Sequence, residues 1–154
     1  MTKHSAGILP YRRHEGAWQV LLAHPGGPFW ARKDLGAWSV AKGEYLPPES
    51  ALAAAVREFE EETGHRLAGP FVSLQSVRLK SGKVIEAFAT QADWDLSSFR
   101  SNVFEVVDAK GVARRYPEVD RIEWFALDNA AQKIHAGQLP FLARLQEHLA
   151  ASAR

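Results

Sequence analysis

Glutamates concentrated between positions 58 and 62 are the residues whose type and spacing could do chemistry in this sequence. Arg57 directly precedes this run, and three further residues stand at fixed distances from it. The flanking positions that complete the pattern are Gly43, Glu49 and Gly64. If each residue type occurs at about 6% of positions, the pattern would match a given start site on the order of 10⁻⁹ of the time. Coincidence is therefore a poor explanation.

The spacing predicts a short helix over residues 50–62. This segment contains no Gly or Pro and opens with a run of mostly strong helix formers. Pro47 and Pro48 suit the entry, because the first N–H groups of a helix have no intrahelical partner. Glu49 then lies near the positive end of the helix dipole. Gly64 is a natural stop, because glycine readily adopts the left-handed conformation that ends many helices.

Three of the glutamates fall on one flank of this predicted helix. At about 100° per residue, Glu58, Glu61 and Glu62 share an arc of about 100°, while Glu60 points to the other flank. Like charges three and four residues apart repel each other. A magnesium or manganese ion, which favours oxygen ligands, would turn this repulsion into a binding site. The alternative is a solvated acidic helix face. The stripe expected to face the core comprises Leu52, Ala55, Val56, Phe59 and Thr63.

The whole segment from Gly43 to Gly64 resembles the Nudix box. The lead-in Trp38–Lys42 and a late strand, Ile122–Leu127, followed by a helix, also look like the family. The resemblance implies an α/β fold, specifically the Nudix-type α/β/α sandwich with a mixed β-sheet. It implies a hydrolase that cleaves a phosphoanhydride in a nucleoside diphosphate linked to another group. It also implies magnesium or manganese as the cofactor.

The resemblance assigns roles by position. The matching residues are Glu58, Glu61 and Glu62 for metal binding and catalysis, Glu49 and Arg57 for the brace between loop and helix, and Gly43 and Gly64 for the turns of the backbone. Two positions depart from the family pattern. His65 stands where an aliphatic residue is usual, and Ala41 stands where proline is frequent. Neither departure removes a group that the chemistry needs.

An additional carboxylate is expected as a further metal ligand or as the base that activates water. Our sequence-based candidate is Glu105, on the predicted strand Asn102–Val107, and the alternative is an exposed strand residue. Glu118 and Asp120, on a predicted loop, are further candidates. Glu44 is another, since it follows the box glycine directly.

Substrate phosphates also need cations, and a nucleotide base needs a stacking partner. Lys42 precedes the box and could hold a phosphate as a point charge. Trp30 and Tyr116 lie in or near predicted loops, where an aromatic ring could stack on a base. For each residue the alternative is ordinary surface charge or packing. His24, at a strand end before Pro25, could contact the substrate, but a lone histidine is more often structural.

Composition agrees with a small cytoplasmic enzyme of one domain, residues 1–154. Hydrophobic residues make up 46%, which is enough for a core, and the absence of Cys excludes disulfides and Cys-based zinc sites. The first ten residues have no long apolar run, so we expect no signal peptide. We also expect no membrane span. The net charge of +1 does not indicate binding to nucleic acid. No sequence feature indicates an oligomeric state.

Apolar runs and turn residues predict a mixed layout of strands and helices. The predicted strands are 5–11, 18–24, 38–41, 71–79, 84–92, 102–107 and 122–127, and the predicted later helices are 129–136 and 141–151. The turn 80–83 predicts a hairpin. Strands that enclose a helix, with helices at the end, fit helices packed on both faces of a mixed sheet.

Three functions remain open from the sequence. The first is a pyrophosphohydrolase acting on an NTP or a dinucleoside polyphosphate. The second is the same chemistry on a nucleotide sugar, a dinucleotide cofactor or an RNA 5′ end. The third is a non-catalytic module that senses a nucleotide or binds a protein. Every box carboxylate is present, and this favours an active enzyme.

Overall fold

A computed structural model of the chain describes residues 2–153 and contains one large mixed sheet with a helix layer on each face. The strands are β1 (His4–His14), β2 (Ala17–Pro25), β3 (Ala41–Glu44), β4 (Val72–Arg78), β5 (Val84–Gln91), β6 (Val103–Val107), β7 (Ala113–Pro117) and β8 (Val119–Ala126). The helices are α1 (Ala51–Thr63), α2 (Leu127–Lys133) and α3 (Leu139–Ser152). The predicted α/β/α sandwich with a mixed sheet is confirmed.

The central strand of the sheet is β1. The strand order is β4-β5-β1-β2-β8, and β1 runs parallel to β5 and antiparallel to β2. On one edge β1 changes partner along its length. Its residues 5–8 pair with β3, whereas residues 11–14 pair with β2. Strand β3, which carries Gly43, is thereby fixed to the middle of the sheet.

Side chains on the central strands alternate between two cores, as the period of two in a strand requires. Ile8 and Leu21 point to the α1 side and pack with Phe59. Leu9 and Leu22 point to the other side and pack with residues of α3. Both faces of the sheet are therefore covered by helices.

Several predicted boundaries shift for identifiable reasons. The third strand begins at Ala41 instead of Trp38, because Trp38 is buried in the core and makes only an isolated bridge to Ile134. The helix predicted at 129–136 runs from Leu127 to Lys133, because Ile134 adopts extended backbone. In α1, Leu52 is 38% exposed and Ala54 is fully buried, so the stripe that faces the core is rotated from the predicted one.

Strands β6 and β7 form a separate two-stranded ribbon. The sequence analysis missed β7, whose residues are half-buried or exposed and include adjacent arginines. The prediction of a single domain over 1–154 stays a prediction. Among residues 2–153, no helix is both long and apolar enough to cross a membrane.

Candidate active site

Helix α1 presents the box glutamates, and its ends are capped by local side chains and backbone. The Ser50 hydroxyl accepts a hydrogen bond of 3.1 Å from the N–H of Ala53, which satisfies one of the free donors of the first turn. Gly64 ends the helix with a φ of 78°, and its N–H donates to the carbonyl of Glu60 at 2.8 Å. A residue with a side chain would be strained there. The caps fix the length of the helix and therefore the position of its last turn.

Arg57 forms ion pairs with a carboxylate in the loop before α1 and with carboxylates on α1 itself. Its Nε and Nη2 atoms each donate to Glu49 at 2.9 Å, which ties the loop before α1 to the helix. Its Nη1 atom donates to Glu58 at 2.9 Å and to Glu61 at 3.2 Å. Arg57 lowers the pKa of Glu49, and the hydrogen bonds raise the pKa of Arg57 itself. Arg57 thus holds two of the box carboxylates side by side.

Gly43 provides the space for the Glu58 carboxyl group. A Cβ atom on residue 43 would lie 2.1 Å from that carboxyl group, so a side chain there would force the Glu58 carboxyl group to move. The close approach buries much of Glu58, and this burial raises its pKa despite the bond from Arg57. The spacing between Gly43 and Glu58 is therefore explained here by contact between β3 and α1.

Glu62 is the most deeply buried carboxylate of the three. Its Oε2 atom has no hydrogen-bond partner, and burial raises its pKa to about 8. Lys42 opposes this shift through its charge and its backbone N–H, whereas Glu58 and Glu118 reinforce it. Burial also lowers the pKa of Lys42, with Lys83 as a further cause. A buried acceptor without a donor is costly, and a cation would satisfy it.

The box carboxylates fit a divalent cation in their chemistry. The oxygens are hard ligands of the kind that magnesium and manganese prefer, and Glu62 Oε2 is a buried acceptor without a donor. Among residues 2–153, however, no group of three or more His, Asp or Glu side chains is already gathered around one point. The bonds from Arg57 to Glu58 and Glu61 account for this, because they direct two carboxylates toward the guanidinium group.

A cleft of about 290 Å³ opens beside Glu62. Its walls bring together Lys42, Trp30 and Glu118, which are far apart in the sequence. The cleft therefore combines an acceptor without a partner, a cation and a half-exposed aromatic residue. These are the groups that a nucleotide phosphate and base would require.

Backbone hydrogen bonds connect α1 to the wall that carries Glu118. The N–H of Asn102 donates to the carbonyl of Glu61 at 2.8 Å, and the N–H of Glu118 donates to the carbonyl of Asn102 at 2.9 Å. Asn102 thus lies between the helix and Glu118. The start of the predicted strand 102–107 does lie beside the helix, and Glu105 lies farther along the ribbon.

Of the predicted catalytic and substrate-binding residues, Glu62, Lys42 and Trp30 line this cleft, whereas Glu58, Glu61, Glu105 and Tyr116 do not. Glu105 is exposed on β6 and faces Arg115 of β7 in the ribbon. Tyr116 packs against Phe104, with ring centroids 6.0 Å apart. Their roles in the site stay predictions. Of the other acidic candidates, Glu44 is exposed and lies 3.5 Å from Lys83.

Some residues that line the cleft had no signal in the sequence. Gln138, which is buried, accepts from the N–H of Val40 at 3.0 Å and donates to the Ser39 hydroxyl at 2.9 Å. It ties the start of α3 to the lead-in of the box. A glutamine between two predicted helices has no recognisable pattern, so only the fold could identify it.

The two departures from the family pattern are accommodated locally. His65 stacks on Trp94 with ring centroids 4.3 Å apart and an interplanar angle of 5°, so an aromatic contact replaces aliphatic packing. Ala41 is buried and pairs with Ile8 in the sheet. Both contacts use partners other than the box glutamates.

His24, whose side chain is fully buried, lies behind the cleft. Its Nδ1 atom is 2.7 Å from Asp120 Oδ1, and its Nε2 atom is 2.6 Å from the carbonyl oxygen of Lys33. The ring also packs edge-on against Trp38, with centroids 5.1 Å apart. The expectation that His24 is structural agrees with this burial, and Asp120 is engaged by His24.

Comparison with known proteins identifies the fold. A family model described as NUDIX domain matches residues 1–145. The Nudix domain of Shewanella oneidensis NrtR, solved with ADP ribose, has a TM-score of 0.68 and 17% identity over 97% of this chain and 89% of that chain. A binary complex of Caenorhabditis elegans Ap4A hydrolase has a TM-score of 0.65 and 20% identity over 96% and 98%.

The solution structure of the Escherichia coli ORF135 protein has a TM-score of 0.60 and 22% identity, over 97% of this chain and 94% of that chain. At such identities the structural likenesses establish the fold alone. A comparison with curated proteins gives no match.

Proposed function

The chain belongs to the NUDIX domain family, and we propose that it hydrolyses a phosphoanhydride bond in an NTP or a dinucleoside polyphosphate. The prediction of a Nudix pyrophosphohydrolase is confirmed at the level of family and fold. The observation that carries the proposal for the substrate is the cleft in which Glu62 and Lys42 lie with Trp30. It offers sites for a metal-bound phosphate and for a base.

Glu58, Glu61 and Glu62 would hold magnesium or manganese. When bound, such an ion neutralises phosphate charge and lowers the pKa of a bound water. The chain itself fixes the carboxylates: Arg57 orients Glu58 and Glu61, and the last turn of α1 directs Glu62 into the cleft. Glu62 thus faces the cleft already, whereas Glu58 and Glu61 would turn from the guanidinium group of Arg57 to bind the ion.

Lys42 binds a substrate phosphate in this proposal. Lys42 is half-buried and lies near Glu62 and Glu58, and burial lowers its pKa. An anionic phosphate would favour its charged form. A lysine that is already positioned by its strand also loses little freedom when the substrate binds. Lys42 is therefore expected to contribute to alignment as well as to charge.

Glu118 is our proposed base for the attacking water. It lines the cleft, and its charge acts on Glu62. A carboxylate within reach of a water beside the phosphate can accept the proton as the bond to phosphorus forms. Glu105, the candidate from the sequence, stays a prediction and serves as the matched comparison.

Stacking on the nucleotide base is assigned to Trp30, which borders the cleft and is half-exposed. Stacking on an aromatic ring tolerates any base, because every base has a π-face. The proposal therefore predicts weak discrimination among bases. NrtR was solved with ADP ribose, and the C. elegans enzyme is an Ap4A hydrolase, so ADP ribose and Ap4A belong among the first ligands tested here. A cytoplasmic location stays a prediction.

A substrate panel tests this function. Purified protein is incubated with NTPs, diadenosine polyphosphates, ADP ribose, nucleotide sugars and a capped RNA, each with magnesium, with manganese or with a chelator. Products are identified by mass, which gives the phosphorus attacked and the leaving group. We expect turnover of an NTP or a dinucleoside polyphosphate, and its loss with the chelator.

Two results of the panel would contradict the proposal. Turnover restricted to ADP ribose, a nucleotide sugar or capped RNA would keep the chemistry and replace the substrate class. Binding of a nucleotide without turnover under any metal condition would favour the non-catalytic sensor. The complete set of box glutamates argues against that second outcome.

A further inference from the structure

The segment that carries Trp30 is a largely exposed loop, Gly26–Gly36, which we call the Trp30 loop. Its ends are fixed to the body of the protein. The N–H of Gly26 donates to the carbonyl of Glu118 at 2.9 Å, and near the other end Asp34 accepts from the indole N–H of Trp38 at 2.9 Å. The part between these anchors determines where the Trp30 ring lies.

That middle part has a single hydrogen-bonded anchor. Among residues 2–153, the stretch Gly27–Lys33 makes one hydrogen bond to the rest of the protein, between the Lys33 carbonyl and His24 Nε2 at 2.6 Å. The turn from Trp30 to Lys33 is closed internally, since the N–H of Lys33 donates to the carbonyl of Trp30 at 2.9 Å. A displacement of Lys33 would therefore move Trp30 with it.

The direction of the hydrogen bond follows from its partners. A carbonyl oxygen can only accept, so Nε2 of His24 must carry the proton and donate. The other nitrogen, Nδ1, then shares a proton with Asp120, whose Oδ1 lies 2.7 Å away. Both ring nitrogens are used, and the ring is fully buried. Leaving either partner unpaired in this interior would be unfavourable.

We propose that His24 is a positioning residue, which holds the Trp30 loop and the strand that begins beside Glu118 at a fixed separation across the cleft. Asp120 is two residues from Glu118 on that strand, and Lys33 is three residues from Trp30 in the loop. His24 joins the two walls without entering the cleft. This inference rests on the proposed function, because it treats Trp30 and Glu118 as working parts of the site.

The two bonds of His24 have separable consequences. The bond to Lys33 sets the position of Trp30 and hence the affinity for the base. The bond to Asp120 sets the wall that carries Glu118 and hence the rate of the chemical step. An interaction made equally in the ground state and the transition state changes KM, whereas one made only in the transition state changes kcat.

Two substitutions of His24 separate these consequences, because each keeps one of the two hydrogen bonds and removes the other. In His24→Asn the amide lies near the position of Nδ1 and keeps a donor toward Asp120, but it cannot reach Lys33. In His24→Gln the amide lies near the position of Nε2 and keeps a donor toward Lys33, but the bond to Asp120 is lost. We expect His24→Asn to raise KM by about three- to tenfold with little change in kcat. We expect His24→Gln to lower kcat by a similar factor with little change in KM.

Coupling to Trp30 is tested by a double-mutant cycle. If His24 acts through Trp30, then His24→Asn should raise KM much less in a Trp30→Ala background than in the wild type. Multiplicative effects of the two substitutions on KM would overturn the inference. Equal effects of the Asn and Gln variants on both KM and kcat would overturn it as well. If His24→Asn does not fold, His24→Gln decides, because a raised KM in that variant contradicts the assignment.

Limited proteolysis supplies a readout that is independent of activity. Trypsin can cleave after Arg32 and Lys33 in the exposed loop. We expect faster cleavage there in His24→Asn and wild-type rates in His24→Gln, and unchanged rates in both would overturn the inference. If wild-type protein hydrolyses no nucleotide, the proposed function fails, while the cleavage rates still report whether His24 orders the loop.

Discussion

The carboxyl group of Glu58 occupies the space that a side chain on Gly43 would need. Gly43 lies in β3 and Glu58 lies in α1, so the Glu58 carboxyl group packs directly against the backbone of the strand. The contact also brings Lys42 toward the carboxylates, since Lys42 is the preceding residue of the strand.

We therefore expect Gly43→Ala to displace the Glu58 carboxyl group and to reduce turnover by at least about a hundredfold, since small misplacements of aligned groups are costly. Steady-state kinetics and thermal unfolding would measure the two effects. A second substitution, Glu58→Ala, removes the overlap and should restore much of the lost stability without restoring turnover. Unchanged turnover in Gly43→Ala would contradict the steric role.

The two flanks of α1 offer a matched pair of charge-removing substitutions. Glu61→Gln removes a proposed metal ligand, whereas Glu60→Gln removes a carboxylate whose partner is Arg66 at 3.4 Å. We expect Glu61→Gln to cut turnover by at least about a hundredfold with the fold retained. Glu60→Gln should remain within about twofold of the wild type. Similar losses in both variants would indicate an effect of charge on the helix instead of a metal site.

Protons should compete with the cation at Glu62. Its pKa of about 8 lies above the ordinary value of 4.5, so the metal-free protein holds this carboxyl protonated below about pH 8. A cation must displace that proton, and metal affinity should fall by up to about tenfold for each pH unit below 8. Titration calorimetry with manganese between pH 6 and 8 measures this slope. Glu62→Gln should bind more weakly and lose most of the dependence.

The raised pKa of Glu62 also determines how the stability of the metal-free protein changes with pH. Since the pKa of Glu62 is higher in the folded protein than in the unfolded chain, the unfolded chain ionises first as pH rises. The free energy of unfolding of the metal-free protein should therefore fall between about pH 4.5 and pH 8 at this residue. Urea unfolding of wild type and Glu62→Gln across this range would isolate the contribution. A wild-type slope that persists in the variant would assign the effect to other groups.

The identity of the base is decided by two conservative substitutions. Glu118→Gln should reduce kcat by about 10²- to 10⁴-fold, because a general base contributes on this scale. Glu105→Gln should leave kcat near that of the wild type, since Glu105 is exposed on the ribbon opposite Arg115. Circular dichroism would establish that both variants fold. The reverse result would return the role to Glu105 and remove Glu118 from the mechanism.

Sequence was most informative where structure is local. The placement of the glutamates on α1 follows from helical periodicity alone, and the glycine stop at Gly64 follows from one backbone conformation. The residues of α1 that face the core differ from the predicted stripe. The small Ala54 fits the close contact between helix and sheet, whereas Leu52 stays partly exposed. Local sequence determines where helix α1 forms, whereas its packing angle depends on the elements around it.

The composition of the cleft could not be predicted because it depends on contacts between distant segments. Asn102 determines how the ribbon leaves the helix, and this places Glu118 near Glu62 while Glu105 lies farther away. The sequence places Glu105 on a strand and Glu118 on a loop, but neither assignment gives the distance to Glu62. The bonds of Gln138 to the box lead-in depend on long-range packing in the same manner.

The change of partner along β1 has a consequence for tolerance to substitution. Gly7 lies opposite Lys42, and a Cβ there would come within 2.6 Å of the Ala41 carbonyl oxygen and 2.7 Å of the Lys42 Cβ. A bulkier residue at position 7 would push the strand that bears the lysine away from its neighbour. Substitutions at position 7 would then reduce activity as active-site substitutions do, although residue 7 itself does not contact the substrate.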